Sequence, residues 1–327
     1  MLLLAIFVMC PSFAVGDSSI DALRVKAEGG DAASQLSLGN RYLVGDGVPK
    51  DDKQALRWFR MAADQGDASG EYIIGLKYNV GDGVPENHTE AARWFRKAAD
   101  QGLGVAQEEL GEMYGSGDGV PMDRAESIEW LRKAADQGFT DAAKEYFLGL
   151  CYASGDAVAK DTVEAAKWFR KAADQGHAEA QLRMGVIYSV GEGLPKDSTE
   201  AAKWYRKAAE QGLAAGQYSL GVCYSRGDGT LKDSAEAARW YRKAANQGYA
   251  RAQLNLGTCY ARGDGVTLDI VEAHKWFNLA SANGNESAKA NLGLIEKTMS
   301  TDEIAEAEQR AREFKPARSM GPASAAK

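Results

Sequence analysis

HAEAQLRMGVIYSVGEGLPKDSTEAAKWYRKAAEQG, residues 177–212, is the stretch that decides the fold. Its first half places Ala180, Met184, Ile187 and Tyr188 at the i, i+4, i+7, i+8 spacing of one helical face. Two glycines and a proline within Gly191–Pro195 end that helix and turn the chain. The second half repeats the helical spacing with Ala201, Trp204, Tyr205, Ala208 and Ala209, and Gly212 stands at the expected C-cap. The stretch therefore reads as a helical hairpin, helix A followed by helix B.

The same hairpin recurs along the chain. Trp58, Trp94, Trp130, Trp168, Trp204, Trp240 and Trp276 are spaced by 36, 36, 38, 36, 36 and 36 residues. A glycine series from Gly39 to Gly293 keeps the same register and puts the two-residue insertion between Gly138 and Gly149. Seven units then fill residues 31–284, with a capping half-repeat at 17–30, capping helices at 285–314 and an unstructured tail at 315–327. A single hairpin cannot cover its own apolar face, so the units must stack and the ends must be closed.

Two local features follow from that reading. Each B helix opens with Asp or Asn followed three residues on by Glu or Gln, as in Asp197 and Glu200, which predicts a capping box. The glycine inside helix A costs roughly 1 kcal/mol against alanine. It is expected to leave a notch for the Trp or the Ala pairs of helix B.

The phrases Leu-Gly-x-x-Tyr, Gly-Asp-Gly-Val-Pro and Glu-Ala-x-x-Trp-Phe-Arg-Lys-Ala-Ala-Asp-Gln-Gly make the chain resemble the Sel-one-like repeat family, relatives of the tetratricopeptide repeat. The resemblance covers nearly all of the chain after the amino-terminal segment. It implies an all-α, right-handed superhelical solenoid of antiparallel helix pairs and a role as an adaptor, often in bacterial envelopes and signalling systems. Some bacterial members carry paired cysteines and are linked to β-lactam binding or hydrolysis; that pairing is absent here. Unit four departs with Ala157 and Ala159 in place of the loop Gly and Pro, unit six with Thr230 and Leu231, and unit four is expected to mark a bend or a specialised surface.

A formal net charge of -7 and a pI near 5.3 set up a field that repels a polyanion, so no nucleic-acid partner is expected. Residues 1–16 contain no charged side chain, and Leu2 to Met9 followed by Pro11, Ser12 and Ala14 reads as an export signal. At about 15 apolar residues it is shorter than the ~20 a spanning helix needs, so no stable membrane span is expected after cleavage. The expected location is periplasmic or secreted. Cys151, Cys223 and Cys259 each precede a tyrosine at equivalent repeat positions, where stacking holds their Cα atoms beyond disulfide reach, and read as small buried hydrophobes.

Chemistry-bearing motifs do not accumulate. Counting twelve from Asp46 reaches Arg57 instead of the Glu of a calcium loop, and His88, His177 and His274 lack partners at metal spacing and read as surface or loop histidines. Ser324 to Lys327 matches a Ser-x-x-Lys spacing without its companion motifs. No catalytic residue, metal or cofactor is expected. The recurring Trp-Phe-Arg-Lys places its aromatics on the apolar stripe, which favours core packing over base stacking.

The expected function is binding of a protein or peptide. In tetratricopeptide-like solenoids helix A lines the groove, and the position three before its glycine holds Tyr72, Tyr146 and Tyr218, while Arg226 and Arg262 stand five after it. Tyr and Arg are common interface anchors. These five residues are the candidate partner-binding site, with packing between neighbouring repeats as the tyrosines' alternative role. An envelope enzyme of β-lactam-binding or cell-wall type and a cytosolic regulatory adaptor stand as the alternative functions.

Overall fold

A computed structural model describes residues 19–317, so the expected export segment 1–16 and Ser324–Lys327 lie outside the described residues. Among the described residues the chain forms seventeen α-helices, one short 3-10 turn and no strand. α1 (Ile20–Glu28) precedes the repeats. The A helices are α2 (Ala32–Val44), α4 (Ala68–Val80), α6 (Gly104–Ser116), α8 (Ala142–Ser154), α10 (Ala178–Val190), α12 (Ala214–Arg226) and α14 (Ala250–Arg262). Their B partners are α3 (Asp52–Asp64), α5 (His88–Asp100), α7 (Arg124–Asp136), α9 (Thr162–Asp174), α11 (Ser198–Glu210), α13 (Ser234–Asn246) and α15 (Ile270–Ala282). α16 (Glu286–Ile295) and α17 (Thr301–Glu313) follow. This is an all-α repeat fold of antiparallel helix pairs. The chain divides into two compact units, 1–144 and 145–327, and the boundary falls in the repeat that carries the insertion.

The A-helix glycine does face a close neighbour, but neither the Trp nor the Ala pairs. A Cβ on Gly185 would lie 2.4 Å from the ring of Tyr205, and one on Gly39, Gly75 or Gly257 would lie 2.6–2.7 Å from Phe59, Phe95 or Phe277. The notch receives the residue after the tryptophan. Trp58, Trp94, Trp130, Trp168, Trp204, Trp240 and Trp276 are themselves buried, two turns of alanines beside them.

The capping reading needs a similar correction. Asp197 accepts from the backbone N–H groups of Thr199 and Glu200 at 2.9 and 3.0 Å; Asp51, Asp123 and Asp161 likewise accept from two, whereas Asn87, Asp233 and Asp269 accept from the third residue on. Glu200, however, does not reach back; it pairs with Lys203 at 2.5 Å, as Glu236 pairs with Arg239 at 2.7 Å. An i,i+3 cation on the helix competes successfully for that carboxylate. The reciprocal box forms at α17, where Ser300 and Glu303 cap each other. Gly212 sits one residue beyond the C-cap Gln211, at φ 89°, the left-handed conformation that terminates a helix at low cost for glycine.

Glutamine joins the helices. In unit 145–327 the Gln211 amide donates to Gln181 Oε1 at 2.7 Å, and Gln181 donates to Ala173 O of the preceding B helix at 3.2 Å. The next repeat copies this with Gln247, Gln217 and Ala209. Unit 1–144 holds the same link at Gln137 and Gln107, with Ala99 O as acceptor. A second set of links comes from the Trp-Phe-Arg-Lys phrase: Arg206 donates to Tyr224 Oη at 2.6 Å and Arg242 to Tyr260 Oη at 2.7 Å. Lys207 and Lys243 stand over their own tryptophans at 3.8 and 3.9 Å. All four residue types of the phrase are thus occupied in folding.

The C-terminal end is closed by side chains as well as helices. Phe314 meets the Trp276 ring edge-on at 5.4 Å, and Arg310 pairs with Glu272 at 2.8 Å. Within the stretch expected as tail, Ala317 N–H donates to Asn246 O at 2.8 Å; residues 318–327 lie outside the described residues.

Candidate functional site

The loop between helix A and helix B positions the site. Asp197 N–H closes the loop on Tyr188 O at 2.9 Å, and Asp233 does so on Tyr224 O at 2.9 Å. Gly229, at φ 72°, brings the following loop against the preceding repeat so closely that a Cβ would stand 1.9 Å from Ser198 O. Only glycine satisfies both the left-handed φ and that approach. Gly119, Gly193 and Gly265 make the same approach to the start of the preceding B helix, and beside the contacts at Gly229 and Gly265 a cleft opens.

Two such clefts occur in register. The first, about 430 Å³, is lined by Lys196, Ser198, Tyr205, Tyr218, Arg226 and Asp228, among others. The second, about 260 Å³, is lined by Lys232, Ser234, Tyr241, Asn255, Arg262 and Asp264, among others. Lys196 and Lys232, Ser198 and Ser234, Tyr205 and Tyr241, Arg226 and Arg262, and Asp228 and Asp264 are each 36 residues apart, so the second cleft is the first moved by one repeat. Arg226, Arg262, Lys196 and Lys232 are exposed and make no ion pair among the described residues.

Tyr205 and Tyr241 deepen the clefts. Most repeats place phenylalanine or leucine on the A-helix glycine, whereas these two add a hydroxyl. Tyr205 Oη donates to Ser189 Oγ at 3.2 Å, and both rings are over nine-tenths buried. Burial raises the pKa of both phenols, and the hydrogen bonds of Tyr205 with Ser189 and of Tyr241 with Ser225 and Asn255 oppose it. Both therefore stay neutral donors. In sequence they share the helical stripe of the packing phenylalanines and read as core; the Tyr-for-Phe exchange in just these repeats is the one signal that sets them apart.

Of the five candidate residues, the structure brings Tyr218 and Arg226 into one cleft and puts Arg262 in its neighbour. Tyr218 is half-buried, its ring 6.0 Å from Tyr241 and 5.4 Å from Tyr249. Tyr146 lies against Phe169 at 5.6 Å and stacks on His177 at 4.6 Å. Tyr72 lies 5.6 Å from Phe95, in the other unit. All three thus pack against aromatic or ring neighbours while keeping an exposed edge.

The histidines and cysteines carry no assembled chemistry. His274 is buried at 1% exposure on α15, which corrects its reading as a surface residue: it stands where the other B helices place Leu56, Ala92, Ile128, Ala166, Ala202 and Ala238, and faces Glu296 at 3.2 Å. His88 does lie at the surface, bridging Glu86 at 2.8 Å and Asp118 at 2.7 Å, and these two hydrogen bonds raise its pKa. Cys151, Cys223 and Cys259 are buried and form no disulfide among the described residues. Burial, reinforced by Asp228 and Asp264, pushes the thiols of Cys223 and Cys259 up to about 11, so they remain protonated and poorly nucleophilic at neutral pH. Among the described residues no three His, Cys, Asp or Glu side chains converge on a metal position, and no helix is long and apolar enough to cross a membrane.

The Sel1 repeat model matches residues 32–67, 68–103, 104–139, 145–177, 178–213, 214–249 and 250–285. The chain belongs to the Sel1 repeat family. The gap at 140–144 falls on the insertion. A solved Sel1 repeat protein from Oxalobacter formigenes is 36% identical over 84% of this chain and 80% of its own, with a TM-score of 0.49. The crystal structure of c5321, a protective antigen of uropathogenic Escherichia coli, is 28% identical over 91% of this chain and 94% of its own, with a TM-score of 0.47. The secretory immunoglobulin A-binding protein EsiB of Escherichia coli O6:H1 is 41% identical over 59 residues, which amount to 18% of this chain and 12% of EsiB.

Proposed function

We propose that this Sel1 repeat protein is a non-catalytic scaffold that holds a protein or peptide partner, and that it works in the periplasm or outside the cell after removal of residues 1–16. The observation that carries this reading is the duplicated cleft: two successive repeats present the same unpaired cations, serine hydroxyls and buried tyrosine in register, and the first adds the half-buried Tyr218. Tyrosine and arginine in partly desolvated clefts are the residue types that dominate interface energetics. EsiB, named for binding an immunoglobulin, lends support as a relative over a short segment. The high thiol pKa values of Cys223 and Cys259 weigh against an envelope enzyme that uses either as its nucleophile.

The test is cross-linked capture from cells with tagged protein, comparing wild type with Tyr218→Ala, Arg226→Ala, Arg262→Ala combined, and separately with Tyr72→Ala, Tyr146→Ala. A partner held by wild type and by the second variant but lost from the first supports the cleft site. A partner kept by the first variant moves the site elsewhere. Amino-terminal sequencing of the mature protein tests export, with Val15 or Asp17 as the expected first residue.

A further inference from the structure

The two clefts read charge as well as shape. Each contains two cations and one carboxylate: Lys196 and Arg226 with Asp228, then Lys232 and Arg262 with Asp264. Neither arginine is satisfied by its neighbouring aspartate, since no ion pair forms at either place among the described residues. In a chain of net charge -7 these are local excesses of positive charge at the mouths of pockets whose floors are apolar and hydroxyl-bearing. Clefts one repeat apart are offset by a helix pair, since each A helix packs on its B helix and that on the next A helix. Directly packed helices lie 8–10 Å apart, so the step between clefts is about 10–20 Å. An extended peptide rises about 3.3 Å per residue and covers that distance in roughly three to six residues.

We infer that the occupant is an extended peptide segment with two acidic side chains roughly three to six residues apart, one carboxylate held by Lys196 and Arg226 and the other by Lys232 and Arg262. This rests on the scaffold reading and names the chemistry of its partner. Ser198 and Ser234 supply hydrogen bonds to the segment, and Tyr218 and Val222 give it an apolar wall. The aspartate in each cleft sets the limit of one acidic group per cleft and opposes a continuous polyanion such as nucleic acid.

The test is fluorescence anisotropy with the full chain and labelled Gly/Ser/Ala/Leu decapeptides carrying Glu at position 2 and, in separate peptides, at 5, 6, 7 or 8. Comparison peptides carry Glu at 2 and 3, Glu at 2 alone, or Gln at both places, and a single-stranded oligonucleotide of ten nucleotides serves as the polyanion. One of the spaced peptides is expected to bind most tightly, and each lost carboxylate to weaken binding roughly tenfold. Arg226→Glu and Arg262→Glu should each remove about that factor and leave the thermal midpoint unchanged, since neither side chain pairs within the fold. Equal binding of the Gln peptide, indifference to spacing or to either reversal, or tighter binding of the oligonucleotide overturns the inference. Capture of a cellular partner that depends on Tyr218, Arg226 and Arg262, without binding of any spaced acidic peptide, would sink the acidic-segment chemistry and keep the site. The converse result would keep the chemistry and sink the scaffold reading.

Discussion

Ala157 is the one non-glycine residue among those described with positive φ, at 62°. It occupies the loop position where the other repeats place Gly47, Gly83, Gly119, Gly193, Gly229 and Gly265. A Cβ in that conformation costs about 1–2 kcal/mol, so Ala157→Gly should stabilise by about 1 kcal/mol after the added freedom of the unfolded chain is subtracted. Urea unfolding of the two proteins measures it, and a destabilised variant would show that the loop does not hold this geometry in solution. Glu109 offers a pH-dependent case. It is half-buried beside Glu108 and Glu112, while Lys144 pairs with those two at 2.6 and 2.7 Å. Burial, and then the charges of Glu112 and Glu108, push its pKa up from 4.5 to about 7. The folded chain therefore holds a proton that the unfolded chain has released. Its contribution is intact below pH 4.5, declines as pH rises, and is gone above about pH 7. Glu109→Gln should flatten that dependence and raise stability at pH 8 by up to about 3 kcal/mol, and by nothing measurable at pH 4. Unfolding curves at the two pH values decide between this and a solvated Glu109, for which both differences would vanish.

At the scale of the element, the helices and their boundaries were legible because periodicity, glycine and proline mark them without any tertiary information. The contacts were not. A glycine at Gly185 says that something comes close, but whether Trp204 or Tyr205 fills the notch depends on helix rotation, which a stripe five residues wide leaves open. Gly185→Leu should cost about 1–3 kcal/mol by driving Tyr205 off its rotamer. Because Tyr205 also walls the first cleft, that variant should weaken partner capture along with stability, whereas a purely structural notch would leave capture by the surviving folded protein unchanged. The glutamine links were equally hidden: the Gln of Ala-Ala-Asp-Gln-Gly reads as part of a helix end, and its partner lies thirty residues away. Glu71 exposes their logic. It stands where Gln107, Gln181, Gln217 and Gln253 donate to a preceding carbonyl, accepts from Gln101 at 2.7 Å, and has no proton to donate in return. Burial raises its pKa, with the Gln101 hydrogen bond opposing. Glu71→Gln should restore the missing donor to Ala63 O and stabilise by about 1 kcal/mol. Loss of stability instead would mean that the carboxylate has a stronger partner than the one it replaces.

For the whole molecule, stacking makes stability a matter of nearest neighbours and ends. Each repeat buries its face against the next, and an uncovered terminal face frays. In unit 145–327 the end is closed by Phe314 on Trp276, Arg310 on Glu272 and Ala317 on Asn246, contacts that reach back from α17 and its extension to α15 and α13. Gly293 continues the glycine register, yet nothing lies within 4 Å of the Cβ it would carry, so α16 receives no aromatic in its notch and is the weakest-held A-type helix of this unit. Phe314→Ala removes an aromatic contact worth about 0.5–1.5 kcal/mol beyond its buried area. The loss should appear first where the cap is thinnest. Amide exchange is expected to speed up most in α16 and α15, less in α14, and least in α10 and α11. That gradient has a functional reading, since Arg262 lies nearer the frayed end than Arg226. Binding at the second cleft should therefore weaken before binding at the first, and a peptide needing both clefts should lose affinity while one that engages only Arg226 keeps it. Uniform acceleration along the unit would instead identify 145–327 as a single cooperative block in which the cap stabilises both clefts equally.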